Sequence, residues 1–551
     1  MNQTILGFFG QKNQWTHDHS AAICIDDSIN TYIQLERISR RKHDNDMPNQ
    51  LSKILLDLEV DIGDLEIGYA NTFSLESKDF FKHSDNNILS TNNEVEFRND
   101  GTNTLEPVKI PGRILDQKVT AIVVPHELAH IFSLIPFYGK FNNNSLLVHV
   151  DGAASVSNAT AWYFQNNHIE LLEHTTVFHH ALLNFSYNDL TFDILKINRL
   201  HHFSMPGKLM GFASYGSGSD ELLSWLRSRD FFRDYNEFSQ DQFIQEAKDL
   251  FGYDKDTIIQ DHQMNFNIAA CMQKHFEEKI FNFIQKHQHN TDAKFLYYAG
   301  GAALNIKLNS VIINSRLFDE VSIPPPAGDS GLSLGVVAFL YWKRGNEISN
   351  SLNPYLNNYG LERESYSPNY SIDKVCKDLS KGAVIGVCWG DAEAGPRALG
   401  HRSILANPCL KHMKDLVSMQ IKKREWYRPL APVVLESELE NLFQDYICSQ
   451  LMNYMLYEFQ VKEQIREKIP AVIHCDGTSR AQVVPDENVE QRMLIDILKT
   501  MRDDFDIPCL INTSFNMAGE PIVHTKQDAL NSAQNLGLDG VILGNEYITL
   551  R

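Results

Sequence analysis

SLLVHVDGAASVSNATAWYF, residues 145–164, is an apolar run that halts at Asp151-Gly152 and resumes as a second apolar stretch. Near-continuous hydrophobicity bounded by small residues reads as a strand buried on both faces. NATAWYF (158–164) and HIELLEH (168–174) follow as two more strands, joined by a tight turn at Gln165-Asn166-Asn167. The same order occurs near the start of the chain. ILGFFG (5–10), SAAICIDD (20–27) and INTYIQLE (29–36) give three strands, the last two joined by a turn at Asp26-Asp27-Ser28. Each triplet begins with a strand that runs into a polar loop, His17-Asp18-His19-Ser20 in the first copy and Asp151-Gly152-Ala153-Ala154 in the second.

Duplicated hairpin units of this kind build the actin/hexokinase-like (ASKHA) fold, in which acidic residues at strand ends face a nucleotide cleft. The expected class is therefore α/β, with the duplicated body over residues 1–345. PNQLSKILLDL (48–58) carries Leu51, Ile54, Leu55 and Leu58 on one helical face, and a long helix is expected over 264–287. KFLYYAGGAALN (294–305) and VSIPPPAGDSGLSLG (321–335) are strands that enter glycine-rich turns. A polar, Asn-rich stretch at 346–372 reads as a linker, and KGAVIGVCWG (381–390) opens a second α/β domain over 373–551.

The 551 residues carry a net charge of -20, which disfavours nucleic acid as a partner. The amino-terminal stretch has no secretory pattern, and the longest apolar run, GLSLGVVAFLYW, falls short of the ~20 residues of a membrane span. A cytoplasmic location and no membrane contact are expected. Eight cysteines without a C-x-x-C pair read as buried thiols.

HELAH, 126–130, contains H-E-x-x-H, the zinc signature of metalloproteases. Histidines four apart share a helical face and can bind one ion. A pair of solvated helix histidines would read the same way, and 21 His in this length give ~0.8 such pairs by chance. Asp151 and Asp329 both follow strands ending in small-residue turns, so His126, His130, Asp151 and Asp329 form a candidate metal set. Two imidazoles and two carboxylates suit iron, zinc or manganese.

Gly300-Gly301 followed by Asn305 would allow a ligand close to the backbone, and Lys208 in PGKLMGFASYG places a cation among glycines. The second domain concentrates Arg397, Arg402, Lys422, Lys423, Arg424, Arg428 and Arg480 among Gly, Pro and Ser. Such placement in an acidic chain suggests polyanion binding, because arginine forks match phosphate oxygens, although salt bridges to the surplus carboxylates are the plainer alternative. NTSFNMAGEP, with Asn512, Thr513 and Ser514, follows a strand and supplies donors suited to a phosphate.

Taken in order, THDHSAA, ERISRRKHD, HELAH, GKLMGFASYG, AGGAALN, PPPAGDSG, GPRALGHRSIL, KKREWYRPLAP, DGTSRAQ and NTSFNMAGEP resemble the O-carbamoyltransferases of nodulation-factor, cephalosporin and tobramycin biosynthesis. The resemblance implies a first domain like the actin-like threonylcarbamoyl-transferase subunit and a second like YrdC. It implies that carbamoyl phosphate and ATP, the latter with magnesium, form carbamoyl adenylate in the second domain. A small-molecule hydroxyl then takes the carbamoyl group in the first. It further implies iron(II) at His126, His130, Asp151 and Asp329, and carbamoyl phosphate and ATP contacts at Arg397, Lys422, Arg428, Arg480 and Ser514. His17, beside Asp18, matches the general-base position. A homodimer is compatible with it.

Under the resemblance Glu127 is incidental and the protease reading falls. Asp151-Gly152-Ala153-Ala154 departs from the family by lacking the second glycine of D-G-x-G. A tRNA threonylcarbamoyl transferase fits neither the charge nor the fused second domain, and a catalytically silent nucleotide-binding scaffold would not need intact Arg, Ser and metal motifs. The acceptor cannot be read, and the polar segment 71–118 is a candidate lid or acceptor-recognition insert.

Overall fold

A computed structural model describes residues 4–10, 16–70, 88–90, 95–98, 105–115, 117–152, 154–176, 205–228, 240–252, 263–349 and 353–551. The first unit holds two sheets. One contains β1 (Thr4–Phe9), β2 (Ser20–Ile25), β3 (Ser28–Gln34), β4 (Leu65–Ala70), β5 (Ile88–Ser90), β6 (Val95–Arg98), β7 (Val108–Ile114) and β8 (Gln117–Val124), in the order β3-β2-β1-β4-β8-β7-β6-β5. The other contains β9 (Ser145–Val150), β10 (Ala159–Gln165), β11 (His168–Thr175), β12 (Phe295–Ala299) and β13 (Glu320–Ser322), in the order β11-β10-β9-β12-β13. In both sheets the opening strand pairs antiparallel with the hairpin and parallel with the next inner strand. This shared order is the duplication expected from the sequence, and it gives the first unit its actin/hexokinase-like architecture. The hairpin turns carry Asp26, Asn166 and Asn167 at positive φ, as tight two-residue turns require.

The two sheets are not equal. Strands β5, β6 and β7 extend the first beyond β8, and they come from the polar segment 71–118, whose residues 71–87, 91–94, 99–104 and 116 lie outside the described residues. The helix expected over 264–287 runs Gln263–Thr291.

One helix crossing builds the centre of this unit. Helix Leu332–Lys343, buried over most of its length, packs against helix His126–Phe132, every residue of which is buried. At the crossing a side chain on Gly335 would begin 1.7 Å from the Ala129 carbonyl oxygen, so only glycine allows the approach. The contact places the histidine turn beside the start of the helix that follows Asp329.

The second unit is a mixed sheet of β14 (Ile385–Cys388), β15 (Arg402–Ala406), β16 (Ala431–Leu435), β20 (Gln482–Val484), β21 (Cys509–Ser514), β22 (Gly540–Leu543) and β23 (Glu546–Thr549), in the order β20-β16-β21-β15-β14-β22-β23. Beside it lies a small sheet of β17 (Phe443–Gln444), β18 (Phe459–Val461) and β19 (Thr478–Ser479). It is the α/β arrangement expected of a YrdC-like unit. The described part of the stretch read as a linker, residues 346–349 and 353–372, is fastened rather than loose. Tyr355, Leu356 and Asn357 are buried, Asn357 exchanges backbone hydrogen bonds with Ala392 at 3.0 Å, and Asn358 donates to the Tyr32 carbonyl at 3.3 Å.

Candidate active site

His126 and His130 stand one turn apart, both fully buried, with their Nε2 atoms 2.9 Å from each other. Asp329 Oδ1 lies 3.6 Å from His126 Nε2 and 3.5 Å from His130 Nε2, and Asp151 Oδ2 lies 3.5 Å from His130 Nε2. One ligand atom from each of the four residues falls within 4.8 Å of the others. The donor set fits a first-row divalent ion. The spacing fits as well, since two nitrogens about 2.1 Å from one ion and at right angles to it sit about 3 Å apart. The His130 ring stacks on the buried ring of His149, with centroids 5.2 Å apart.

Asp151 is held by the backbone around it. β12 is followed by Gly300, whose φ of +104 and closeness to β9, where a Cβ would meet the Val150 carbonyl oxygen at 2.1 Å, exclude any side chain. Gly301 N–H donates to Asp151 Oδ2. The double glycine therefore shapes the floor of the carboxylate cluster. Glu127 has a structural task that its sequence position did not reveal. Its Oε1 accepts from Val156 N at 2.8 Å, Ser157 N at 3.0 Å and Ser157 Oγ at 3.2 Å, while His126 N donates to Ser155 Oγ at 2.9 Å. The histidine helix and the loop after Asp151 are thereby stitched together. Ala154, which stands where the second family glycine is missing, is buried, whereas Ala153 beside it lies outside the described residues.

His17 borders this cluster, its Nε2 4.0 Å from Asp329 Oδ2 and its Nδ1 2.9 Å from Asp18 Oδ2. Burial alone would lower the His17 pKa, but the Asp329 charge and the Asp18 hydrogen bond outweigh it and raise it to about 9. Burial likewise would raise Asp329, and the charge of His17 with the hydrogen bonds of His126 and His130 holds it well below the carboxylate range instead. A cation on the four-residue cluster would neutralise the Asp329 charge that His17 feels and push that imidazole toward its neutral, proton-accepting form.

The second site is made of cations. Lys422 Nζ bonds the Ser514 carbonyl, and reaches the Asn516 carbonyl and Oδ1, both at 2.6 Å. Arg424 donates to Thr513 Oγ1 and Ser514 Oγ, both at 3.1 Å. Around them stand Arg397, Arg428 and Arg480, and the Nε atoms of Arg397 and Arg480 are buried without a hydrogen-bond partner. Burial and then Arg428 depress Arg397 to about 10 and Arg424 to about 9, while burial and the surrounding arginines push Arg480 well down. Lys422 is depressed by burial, Arg424, Arg428 and Lys42, the last reaching over from the first unit. Mutually repelling buried cations with orphaned donors suit a polyanion. Arg397 Nη2 approaches the Leu304 carbonyl at 3.5 Å, which brings this pocket against the turn that carries Gly301.

Four expected ligand contacts are corrected. Arg402 is spent on backbone carbonyls, those of His524 at 2.9 Å, Trp389 at 2.5 Å, His401 at 3.1 Å and Gly390 at 2.9 Å, and so braces the sheet. Lys208 lies in helix Met205–Ala213 rather than a loop, and its ammonium pairs with Glu425 of the second unit at 2.8 Å. Asn305 caps helix Ile306–Asn314 through Leu308 N at 3.1 Å. Asn512 Nδ2 binds Gln482 Oε1 at 2.6 Å and the Ala398 carbonyl at 3.2 Å inside the sheet. Arg424 joins the pocket although only its cationic neighbourhood marked it in the sequence.

Two family models match the chain. The carbamoyltransferase N-terminus covers residues 7–338 and the carbamoyltransferase C-terminus covers 376–549. Among curated relatives, nodulation protein NolNO of Sinorhizobium fredii is 27% identical across 98% of this chain and 80% of its own length. Nodulation protein U of Rhizobium tropici is 35% identical across 41% of this chain and 39% of its own. Full-length HypF in a phosphate- and nucleotide-bound form aligns with 61% of this chain and 55% of its own, at 14% identity and a TM-score of 0.31. A glucokinase from Balamuthia mandrillaris aligns with 62% of this chain and 94% of its own, at 10% identity and a TM-score of 0.25. With family models matching in chain order over both units, the chain belongs to the carbamoyltransferase family.

Proposed function

We propose that this enzyme is an ATP-dependent O-carbamoyltransferase with its half-reactions divided between residues 373–551 and 1–345, joined through 346–372. In the second unit, carbamoyl phosphate and one water yield carbamate and phosphate. A carbamate oxygen attacks the α-phosphorus of ATP and pyrophosphate leaves, giving carbamoyl adenylate. Arg397, Arg424, Arg428 and Arg480 hold the phosphoryl oxygens, with magnesium accompanying the nucleotide, while Lys422 braces the Ser514 turn and Ser514 and Thr513 orient Arg424. In the first unit His17 Nε2 takes the proton of a small-molecule hydroxyl as its oxygen attacks the carbamoyl carbon, and AMP departs. Asp18 keeps the proton of His17 on Nδ1, which makes Nε2 the basic nitrogen. His126, His130, Asp151 and Asp329 would hold iron(II), which when bound supplies Lewis-acid polarisation of the carbamoyl or phosphate oxygen.

The observation that carries this reading is the contact of Arg397 with the Leu304 carbonyl, since it sets the polyanion pocket against the turn flooring the metal cluster. The test is pyrophosphate release from ATP by the purified enzyme. Release that needs carbamoyl phosphate supports the reading, and release indifferent to it would overturn the adenylate. Sugars and polyketide alcohols are then the acceptors to screen. Among the described residues no helix is long and apolar enough to cross a membrane.

A further inference from the structure

We infer that His43 is a positioning residue for the base, acting on His17 through Asp18. Asp18 accepts from His17 Nδ1 through one oxygen and from His43 Nδ1 through the other, each at 2.9 Å. An ionised carboxylate only accepts, so both imidazoles present Nδ1–H to it. With both oxygens engaged Asp18 cannot turn, and its backbone is pinned at a φ of 53, a conformation open to Asp and Asn but closed to most residues.

His43 is itself fixed from several directions. Its backbone N–H donates to Glu36 Oε2 at 3.0 Å, and Lys42 pairs with the same carboxylate at 3.2 Å. The segment is fastened to the second unit, with Arg37 donating to the Gly395 carbonyl at 2.9 Å and Arg40 to the carbonyls of Ile522 and Pro521 at 2.6 and 3.0 Å. At its end the Asp44 carbonyl accepts from His19 N at 3.1 Å, closing the segment back onto the loop that carries Asp18. Docking of the second unit thus reaches the base through His43 and Asp18.

The inference rests on His17 as the base, so the experiment judges the two separately. Selectively ¹⁵N-histidine-labelled full-length enzyme, held above the raised His17 value of about 9 so that the imidazole is neutral, reports which ring nitrogen of His17 carries the proton, and AMP release from supplied carbamoyl adenylate with water as acceptor reports transfer. His43→Ala is expected to mix the two His17 tautomers and to slow AMP release on the order of tenfold, the scale of losing an outer hydrogen-bond partner. His43→Asn, whose amide reaches the Nδ1 position, is expected to restore both, which a merely structural role would not predict. Should His43→Ala fail to fold, Asp18→Asn keeps the backbone conformation and is expected to mix the tautomers in the same way. A His17 that stays protonated on Nδ1 in these variants, with AMP release within about twofold of wild type, would overturn the positioning role. His17→Asn decides the other question, because undiminished transfer in that variant removes the base while leaving the tautomer result valid.

Discussion

The two sites of this enzyme are opposites in charge. In the first unit imidazoles and carboxylates gather around one point, and the depressed Asp329 carboxylate has histidines to account for it. In the second, burial and neighbouring cations act in the same direction on Arg397, Lys422, Arg424 and Arg480, and all four are destabilised as cations. The first arrangement is complementary to a cation and the second to a polyanion. The difference teaches that one chain can hold two pockets of conflicting electrostatic character, provided they lie in different units.

The comparison breaks most sharply with a pair of substitutions. His17→Asn should lower carbamoyl transfer by ~10² to 10⁴ while leaving carbamoyl-phosphate-dependent pyrophosphate release intact. Arg480→Ala should do the reverse, with release falling by ~10² or more and supplied carbamoyl adenylate still consumed. Loss of both half-reactions in either variant would show that the sites are not independent. His130→Ala tests the cation side alone. Metal analysis should find it binding iron(II) at least ~10²-fold more weakly than wild type, since even outer partners of ligands are worth 10- to 100-fold, and pyrophosphate release should stay.

Arg402→Lys sharpens the contrast within the second unit. A lysine cannot reach four carbonyls at once, so the expected effect is about 3 kcal/mol or more of lost stability in urea unfolding, without a matching change in KM for ATP. A stable variant with weakened ATP use would return Arg402 to the pocket.

The smallest expected effect is one the two units share. His19 in the first and His524 in the second are both depressed to about 3, chiefly by burial, and then by the His17 charge in one and against a hydrogen bond to the Tyr359 carbonyl in the other. As pH falls below the ordinary histidine value near 6.5, the unfolded chain takes up these protons before the folded one does. Stability is therefore full above about pH 6.5 and is lost at about 1.4 kcal/mol per pH unit for each histidine down toward pH 3. Between pH 7 and pH 5 each should cost about 2 kcal/mol, and His524→Gln should reduce the slope by one histidine's share.

The sequence revealed the duplicated hairpins because a strand buried on both faces leaves a run such as SLLVHV, and turn residues such as Asn166-Asn167 mark where it folds back. Strands β5 to β7 left no such run, since they lie at the edge of the sheet in a polar stretch. Of the sites, His126 and His130 were legible through helical spacing and the aspartates through their strand ends. Arg402, Lys208, Asn305 and Asn512 were misread for one reason. Composition can show a cation or amide among glycines, but the carbonyls, Glu425, Leu308 amide and Gln482 that satisfy them are set by packing, mostly with distant parts of the chain. His43 was missed on the same ground, its partner Asp18 being a neighbour only once β2 and β3 have folded back.

The arginine anchors on the His43 segment give the connection through 346–372 a meaning beyond continuity. Arg37 and Arg40 hold that segment to carbonyls that only the second unit supplies, so the proposed positioning of His17 by His43 needs the two units docked. A short covalent tether keeps its ends at an effective concentration on the order of millimolar, about a thousandfold above that of two free fragments at micromolar levels. Encoding both units in one polypeptide thus makes the anchoring of the His43 segment independent of how much protein the cell contains.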